Sequence, residues 1–128
     1  VSTRRKGNEA PDWLAEWLRP WFPDAEKTPN GRRGRDVDNT PGLAIEVKTG
    51  AEWRPLAWRK QAEGYAGPGE LPLLVYYPPG FGKASTGDTL SIVRTRLILP
   101  VLVEAGYAPA RRPRGVADAL DLLDRRAP

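Results

Sequence analysis

Read for the spacing of apolar and polar positions, the chain opens with a polar, basic stretch and then turns helical. Ala10, Trp13, Leu14, Trp17, Leu18 and Trp21 recur three and four residues apart, the spacing of one helix face, and assign these tryptophans to the core. Asn8 is placed to cap this helix and Pro11 falls in its first turn, where a missing N–H costs little. Residues 21–40 are rich in Pro, Gly, Asn and Arg. They are read as a short strand around residues 25–28, a basic turn, and a second strand entering at Arg35. Leu43-Ala-Ile-Glu-Val-Lys48 alternates, placing Leu43, Ile45 and Val47 on one face and Ala44, Glu46 and Lys48 on the other.

Pro55 opens a second helix running to about Ala66, with Trp58, Ala62 and Tyr65 as its apolar stripe and Gly67 and Gly69 closing it. The continuously apolar run Leu71-Pro-Leu-Leu-Val-Tyr-Tyr77 predicts a central strand covered on both faces. A turn-rich loop over residues 78–87, an edge-like strand over 89–94 and a helix over 96–105 stopped by Gly106 follow. The order predicts an α/β layer sandwich with a mixed central sheet flanked by helices. Residues 1–107 form its domain, and residues 108–128 a basic, Pro-rich linker with a short amphipathic C-terminal helix.

Composition narrows the chemistry. With 128 residues there is room for one compact catalytic domain, and with no Cys and no His the usual zinc sites, thiol nucleophiles, disulfides and Ser-His-Asp triads are excluded. Chemistry then falls to carboxylates, Lys, Arg, Tyr or Ser, and clustered carboxylates favour hard cations such as Mg²⁺ or Mn²⁺. No apolar run is long enough to span a bilayer and no apolar stretch follows the basic start, so a soluble, cytoplasmic protein is expected. The net charge of +4 gathers in clusters at Arg4, Arg5 and Lys6, at Arg32, Arg33 and Arg35, and at Arg111, Arg112 and Arg114. Such clusters suit a phosphate backbone. Arg32, Arg33, Arg35 and Lys83 are candidate phosphate contacts, and Arg4, Arg5 and Lys6 candidate clamps on a DNA arm.

One constellation carries a reaction. Asp36 is followed, after the Pro41-Gly42 turn, by Glu46 and Lys48, an acid on one strand and an acid-x-Lys on its neighbour. Across a hairpin the two carboxylates can converge on one cation, with the Val47 carbonyl as a third oxygen. Lys48 beside them can orient an attacking water and balance phosphate charge, the requirements of metal-assisted phosphodiester hydrolysis. A surface hairpin with an ordinary Glu/Lys ion pair would carry the same triplet. Asp38, two residues on and sharing a strand face with Asp36, is a second candidate for the first acid.

Arg5-Lys-Gly-Asn-Glu9 opening a helix, Asp36 with Pro41-Gly42 and Ile45-Glu-Val-Lys48, and Gln61-Ala-Glu-Gly64 on the next helix together resemble the Holliday junction resolvase branch of the PD-(D/E)XK nucleases, of phage and archaeal type. The resemblance covers roughly residues 4–80. Arg35 departs from it, standing where the superfamily pattern has Pro. The stretch from acid through Pro-Gly to acid-x-Lys fits Asp36 better than Asp38. The resemblance implies a restriction-endonuclease-like α-β-α sandwich in which Asp36 and Glu46 bind the divalent metal, Glu9 joins the site, Lys48 is the catalytic lysine and Gln61 holds a water or phosphate oxygen. It further implies a homodimer that cuts two strands of a four-way DNA junction symmetrically, leaving 5′-phosphates. Two other readings use the same residues: a PD-(D/E)XK nuclease of another substrate class (VRR-NUC-like, nickase, repair or restriction endonuclease), and a DNA-binding module without cleavage. The last predicts that Asp36, Glu46 or Lys48 is displaced from the cluster. The tail segment Ala119-Leu-Asp-Leu-Leu123 has a passing likeness to peptides that dock onto sliding clamps, although packing on the domain or on a dimer mate is the preferred role for that helix.

Overall fold

The computed structural model describes residues 3–29 and 34–107, residues 3–6 by their backbone alone. The linker and C-terminal helix expected over 108–128, the clamp motif within it, and Arg32 and Arg33 lie outside the described residues, as do the side chains of Arg4, Arg5 and Lys6. The chain divides into two compact units, the first ending at Arg94 and the second beginning at Thr95.

In the first unit the elements run α1 (Thr3–Leu18), β1 (Glu26–Lys27), β2 (Val37–Asp38), β3 (Leu43–Thr49), α2 (Pro55–Tyr65), β4 (Leu71–Tyr77), a 3₁₀ turn (Lys83–Asp88) and β5 (Leu90–Ile92). The strands form one open sheet in the order β1-β2-β3-β4-β5. β3 and β4 are parallel and the other neighbours antiparallel, which makes the sheet mixed and the fold α/β. Two parallel strands need a crossover, and α2 supplies it.

The β3–β4 register decides what each face carries. Ile45 lies beside Leu73 and Val47 beside Val75, while Glu46 lies beside Leu74 and Lys48 beside Tyr76. Partners in a parallel pair project to the same side and successive residues alternate, so the first set shares one face and the second the other. Ile45, Val75 and Tyr77 join Val37 and the α1 residues Ala10, Leu14 and Ala15 in the main core, with Trp13 packed against Tyr77. Trp58 of α2 packs on Tyr76, on the opposite face. The two helices therefore cover opposite faces, and Glu46 and Lys48 belong to the α2 side.

The hairpin entering β3 is built as its sequence requires. Leu43 donates its N–H to the Thr40 carbonyl at 2.9 Å across Pro41-Gly42, with Gly42 at φ +88°. That is a type II turn, which wants Pro at its second position and at its third a residue free to take positive φ. Gly42 also accepts the Leu71 N–H at 2.8 Å, tying this turn to the start of β4.

Three expectations need correction. First, α1 begins at Thr3, so Asn8 is not its cap and Pro11 sits inside it. Proline there removes the N–H that would reach the Gly7 carbonyl, an interruption the helix tolerates while Ala10 and Pro11 are buried. Second, Trp17 and Trp21 are not core residues: they are 46% and 62% exposed. The helix ends at Leu18, Trp21 lies beyond the reach of its periodicity, and the two rings pack on each other with centroids 5.1 Å apart. Third, β2 starts at Val37, so Arg35 and Asp36 precede the strand rather than lying in it.

The described part of the second unit is α3 (Thr95–Glu104), which contains Pro100. It ends as the sequence anticipates: Tyr107 donates to the Leu102 carbonyl at 2.9 Å and Gly106 to Val103 at 3.0 Å, with Gly106 at φ +92°. Among the described residues no helix is long and apolar enough to cross a membrane.

Candidate active site

Glu46 is at the centre of β3 and is only 4% exposed. Its Oε1 lies 3.4 Å from the Lys48 ammonium, two residues along the same face. Its Oε2 is fully buried with no hydrogen-bond partner. An ionised carboxylate loses several kcal/mol of solvation in such a position unless its oxygens are paired, so the orphaned oxygen is a costly feature of the fold.

Asp36 immediately precedes β2 and is held by backbone on three sides. Its N–H donates to the Ile45 carbonyl at 2.8 Å, its carbonyl accepts the Thr28 N–H at 2.9 Å, and its Oδ2 accepts the Val47 N–H at 2.7 Å. Within a strand the N–H and C=O of one residue point to the same edge, so the Val47 carbonyl is aimed toward the edge that Asp36 occupies. Asp38 is turned to other work: its Oδ1 accepts the Thr28 hydroxyl at 2.9 Å. Backbone geometry thus singles out Asp36 as the partner of Glu46.

The two acids feel one another. Burial, and after it the charge of Asp36, push the Glu46 carboxyl up from 4.5 to about 7, against the opposing effect of Lys48. Burial also raises Asp36, offset by the Val47 N–H and by the charges of Lys48 and Lys27. Two desolvated carboxylates flanked by cations form a locus of negative charge that a small divalent ion would relieve.

The other predicted residues stand as follows. Glu9 is half-buried on α1, and its neighbour Asn8 accepts the Lys27 ammonium through its backbone carbonyl. Among the described residues no three acidic side chains gather into a group able to hold a metal, so Glu9 is not drawn in with Asp36 and Glu46. Gln61 is exposed on α2, beside buried Ala62. Arg35 forks onto both carboxylate oxygens of Glu70 and also donates to the carbonyls of Leu43 at 3.0 Å and Tyr65 at 3.4 Å. The Arg35 hydrogen bonds and the Gly67 N–H hold the Glu70 carboxyl down at about 2. Arg35 therefore ties the start of β3 to the loop that precedes β4, its guanidinium occupied by protein partners. Lys83 is exposed and lies 3.1 Å from Glu16.

Sequence reasoning missed two features of this region. Lys27 acts electrostatically on Asp36 from β1, an effect that only the strand order reveals. Trp53, in the connection from β3 to α2, packs against Trp58 and Tyr76, with ring centroids at 5.8 and 5.0 Å. The β3–β4 register could have placed Tyr76 beside Lys48, but no periodicity marks Trp53. No protein-family model, no curated protein and no solved structure matches this chain.

Proposed function

We propose that the chain is a metal-dependent endonuclease of the PD-(D/E)XK kind, with the restriction-endonuclease-like version of the α/β sandwich, acting on branched DNA such as the four-way junction. The observation that carries the reading is the orphaned, buried Oε2 of Glu46 beside Asp36 and Lys48. A non-catalytic module would have no need to keep two acids desolvated together beside a lysine. The resemblance in sequence supports the junction as substrate and a homodimer as the working form, since two symmetric cuts call for two symmetry-related sites.

The donor set fits Mg²⁺ or Mn²⁺: carboxylate oxygens of Asp36 and Glu46 and the Val47 carbonyl, with no nitrogen or sulfur ligand. Such an ion, when bound, polarises a phosphodiester and acidifies water. The residues of the chain do the rest. The Val47 N–H fixes the rotamer of Asp36, so that acid needs no reorganisation to act. Burial keeps bulk water from Glu46. The Lys48 ammonium, on the same face, is positioned to hold an attacking water or a non-bridging phosphate oxygen.

The test is incubation of the purified chain with a four-way junction, a matched linear duplex and a matched single strand, with Mg²⁺ or with EDTA, alongside Glu46→Gln and Lys48→Ala. Paired, metal-dependent nicks confined to the junction and absent from both variants are expected. Equal cutting of duplex or single strand would replace the junction with another nuclease substrate. Tight binding without any cutting would overturn the enzyme in favour of a DNA-binding module.

A further inference from the structure

The α2 side of the sheet carries an aromatic wall that the proposed chemistry does not use. Tyr76 lies beside Lys48 in the β3–β4 register, so its ring stands next to the acid and lysine pair on the same face, within about one strand spacing of 4.8 Å at the backbone. Its hydroxyl donates to the Gly50 carbonyl at 2.6 Å, which fixes the ring and the start of the connection that bears Trp53. Trp58 packs on Tyr76 at 5.3 Å, and Trp53 meets Trp58 edge-on, its plane turned by 86°. Tyr76 is buried and Trp58 half-buried, yet Trp53, the outermost ring, is 54% exposed. A tryptophan braced by two other rings is held in position, and this one presents surface to solvent.

We propose that Trp53 is a stacking platform for an unpaired nucleobase next to the phosphate held at Lys48, and so selects DNA whose bases are not all stacked in a duplex. The inference rests on the reading of Asp36, Glu46 and Lys48 as a phosphodiester site, and it names the structural feature of the substrate that site accepts. Two observations and one property of duplex DNA carry it. Tyr76 lies beside Lys48 in the β3–β4 register and packs against Trp53, so a single buried ring links the exposed tryptophan to Lys48. The exposed ring is rigidly braced, so little freedom remains to be lost when a base stacks on it. A base in intact duplex is already stacked on both faces, whereas one at a branch point or in a single strand offers a free face to an aromatic side chain.

Binding in EDTA separates this from catalysis. Labelled single strand, four-way junction and blunt duplex are titrated with the wild type and with Trp53→Ala, Trp53→Leu and Trp53→Phe, following anisotropy. The fluorescence of 2-aminopurine placed at the branch point reports stacking directly. Leu keeps apolar cover over Tyr76 without a π face, and thermal melts report whether each variant is folded. Expected is about a tenfold loss of affinity for single strand and junction in the Ala and Leu variants, with loss of 2-aminopurine quenching, and partial retention in the Phe variant. Blunt-duplex affinity should move less than twofold. Equal loss on all three substrates, no loss in a folded Leu variant, or no DNA binding by the wild type overturns the proposal. If the Trp53 series behaves as stated and no substrate is ever cut, the nuclease reading fails while this one stands.

Discussion

Glu46→Gln should make the metal-free protein more stable while abolishing its proposed activity, and the gain should depend on pH in a defined way. The Glu46 carboxyl ionises at about 7 in the fold against 4.5 for an ordinary glutamate. Folded chains therefore keep a proton that unfolded chains have released anywhere between those values. The sign follows: this group weighs nothing against folding below about pH 4.5, and stability is lost progressively as pH rises toward and through 7. The gap corresponds to about 3 kcal/mol at pH 8 and about 1 kcal/mol at pH 5. Gln is nearly isosteric and its Oε1 can still accept from Lys48. Removing the charge also relieves Asp36. Urea unfolding in EDTA should show Glu46→Gln more stable than wild type by roughly 3 kcal/mol at pH 8, shrinking to about 1 at pH 5. Mg²⁺ at pH 8 should then raise the wild-type midpoint and leave that of Glu46→Gln nearly unmoved. A variant less stable than wild type at pH 8, or a difference independent of pH, would refute the argument that Glu46 is held desolvated at a cost.

Lys48→Ala should lower junction cleavage by about 10²- to 10⁴-fold while leaving junction binding in EDTA within a fewfold, checked by single-turnover cleavage and anisotropy. Arg35→Ala should lower the melting temperature at neutral pH. Because Glu70 is held at about 2, the stability it gains from Arg35 is present above about pH 4.5 and lost as the pH falls toward 2, so the two melting curves should converge under acid. Tyr77→Phe removes the buried 2.9 Å hydrogen bond to Thr86 and leaves that hydroxyl unpaired, a cost of about 1–3 kcal/mol by urea unfolding; Tyr77→Phe with Thr86→Val should recover part of it.

How much of this was legible from the sequence depended on whether the deciding forces were local. β3 and β4 were readable because alternation and a continuous apolar run are both strand patterns, and β4 spans the Leu71–Tyr77 run that was expected, although β3 is buried on both faces at Ala44, Ile45 and Glu46. The Pro41-Gly42 turn was readable because only Gly relieves a positive φ without strain. The start of α1 was not, because helix over Thr3–Glu9 runs against the rule that proline belongs in a first turn, and burial of Ala10 and Pro11 overrides a local preference. The same rule of periodicity overreached at Trp21, where a turn following Leu18 removes the helix on which the pattern depends, and at Trp17, which is helical yet packs on the exposed Trp21 ring.

At the site, residue types and spacing nominated Asp36, Glu46 and Lys48 together and left Asp38 as the lesser alternative to Asp36, since both fit a strand face. The decision comes from a contact eleven residues away, the Val47 N–H on Asp36, and from Thr28 occupying Asp38. Arg35 illustrates the opposite failure. A basic cluster in a loop suggests phosphate, yet its partner Glu70 lies 35 residues on and is brought close only by the α2 crossover. What local sequence could not express was desolvation, and desolvation separates a buried acid pair from a surface one. Glu46 and Lys48 would be an unremarkable ion pair on an exposed hairpin. Covered by α2, beside a second acid, with one oxygen unpartnered, the same residues are held in a state the fold alone would not favour. Stability foregone at one buried position is the physical mark by which such a site can be told from a structural salt bridge.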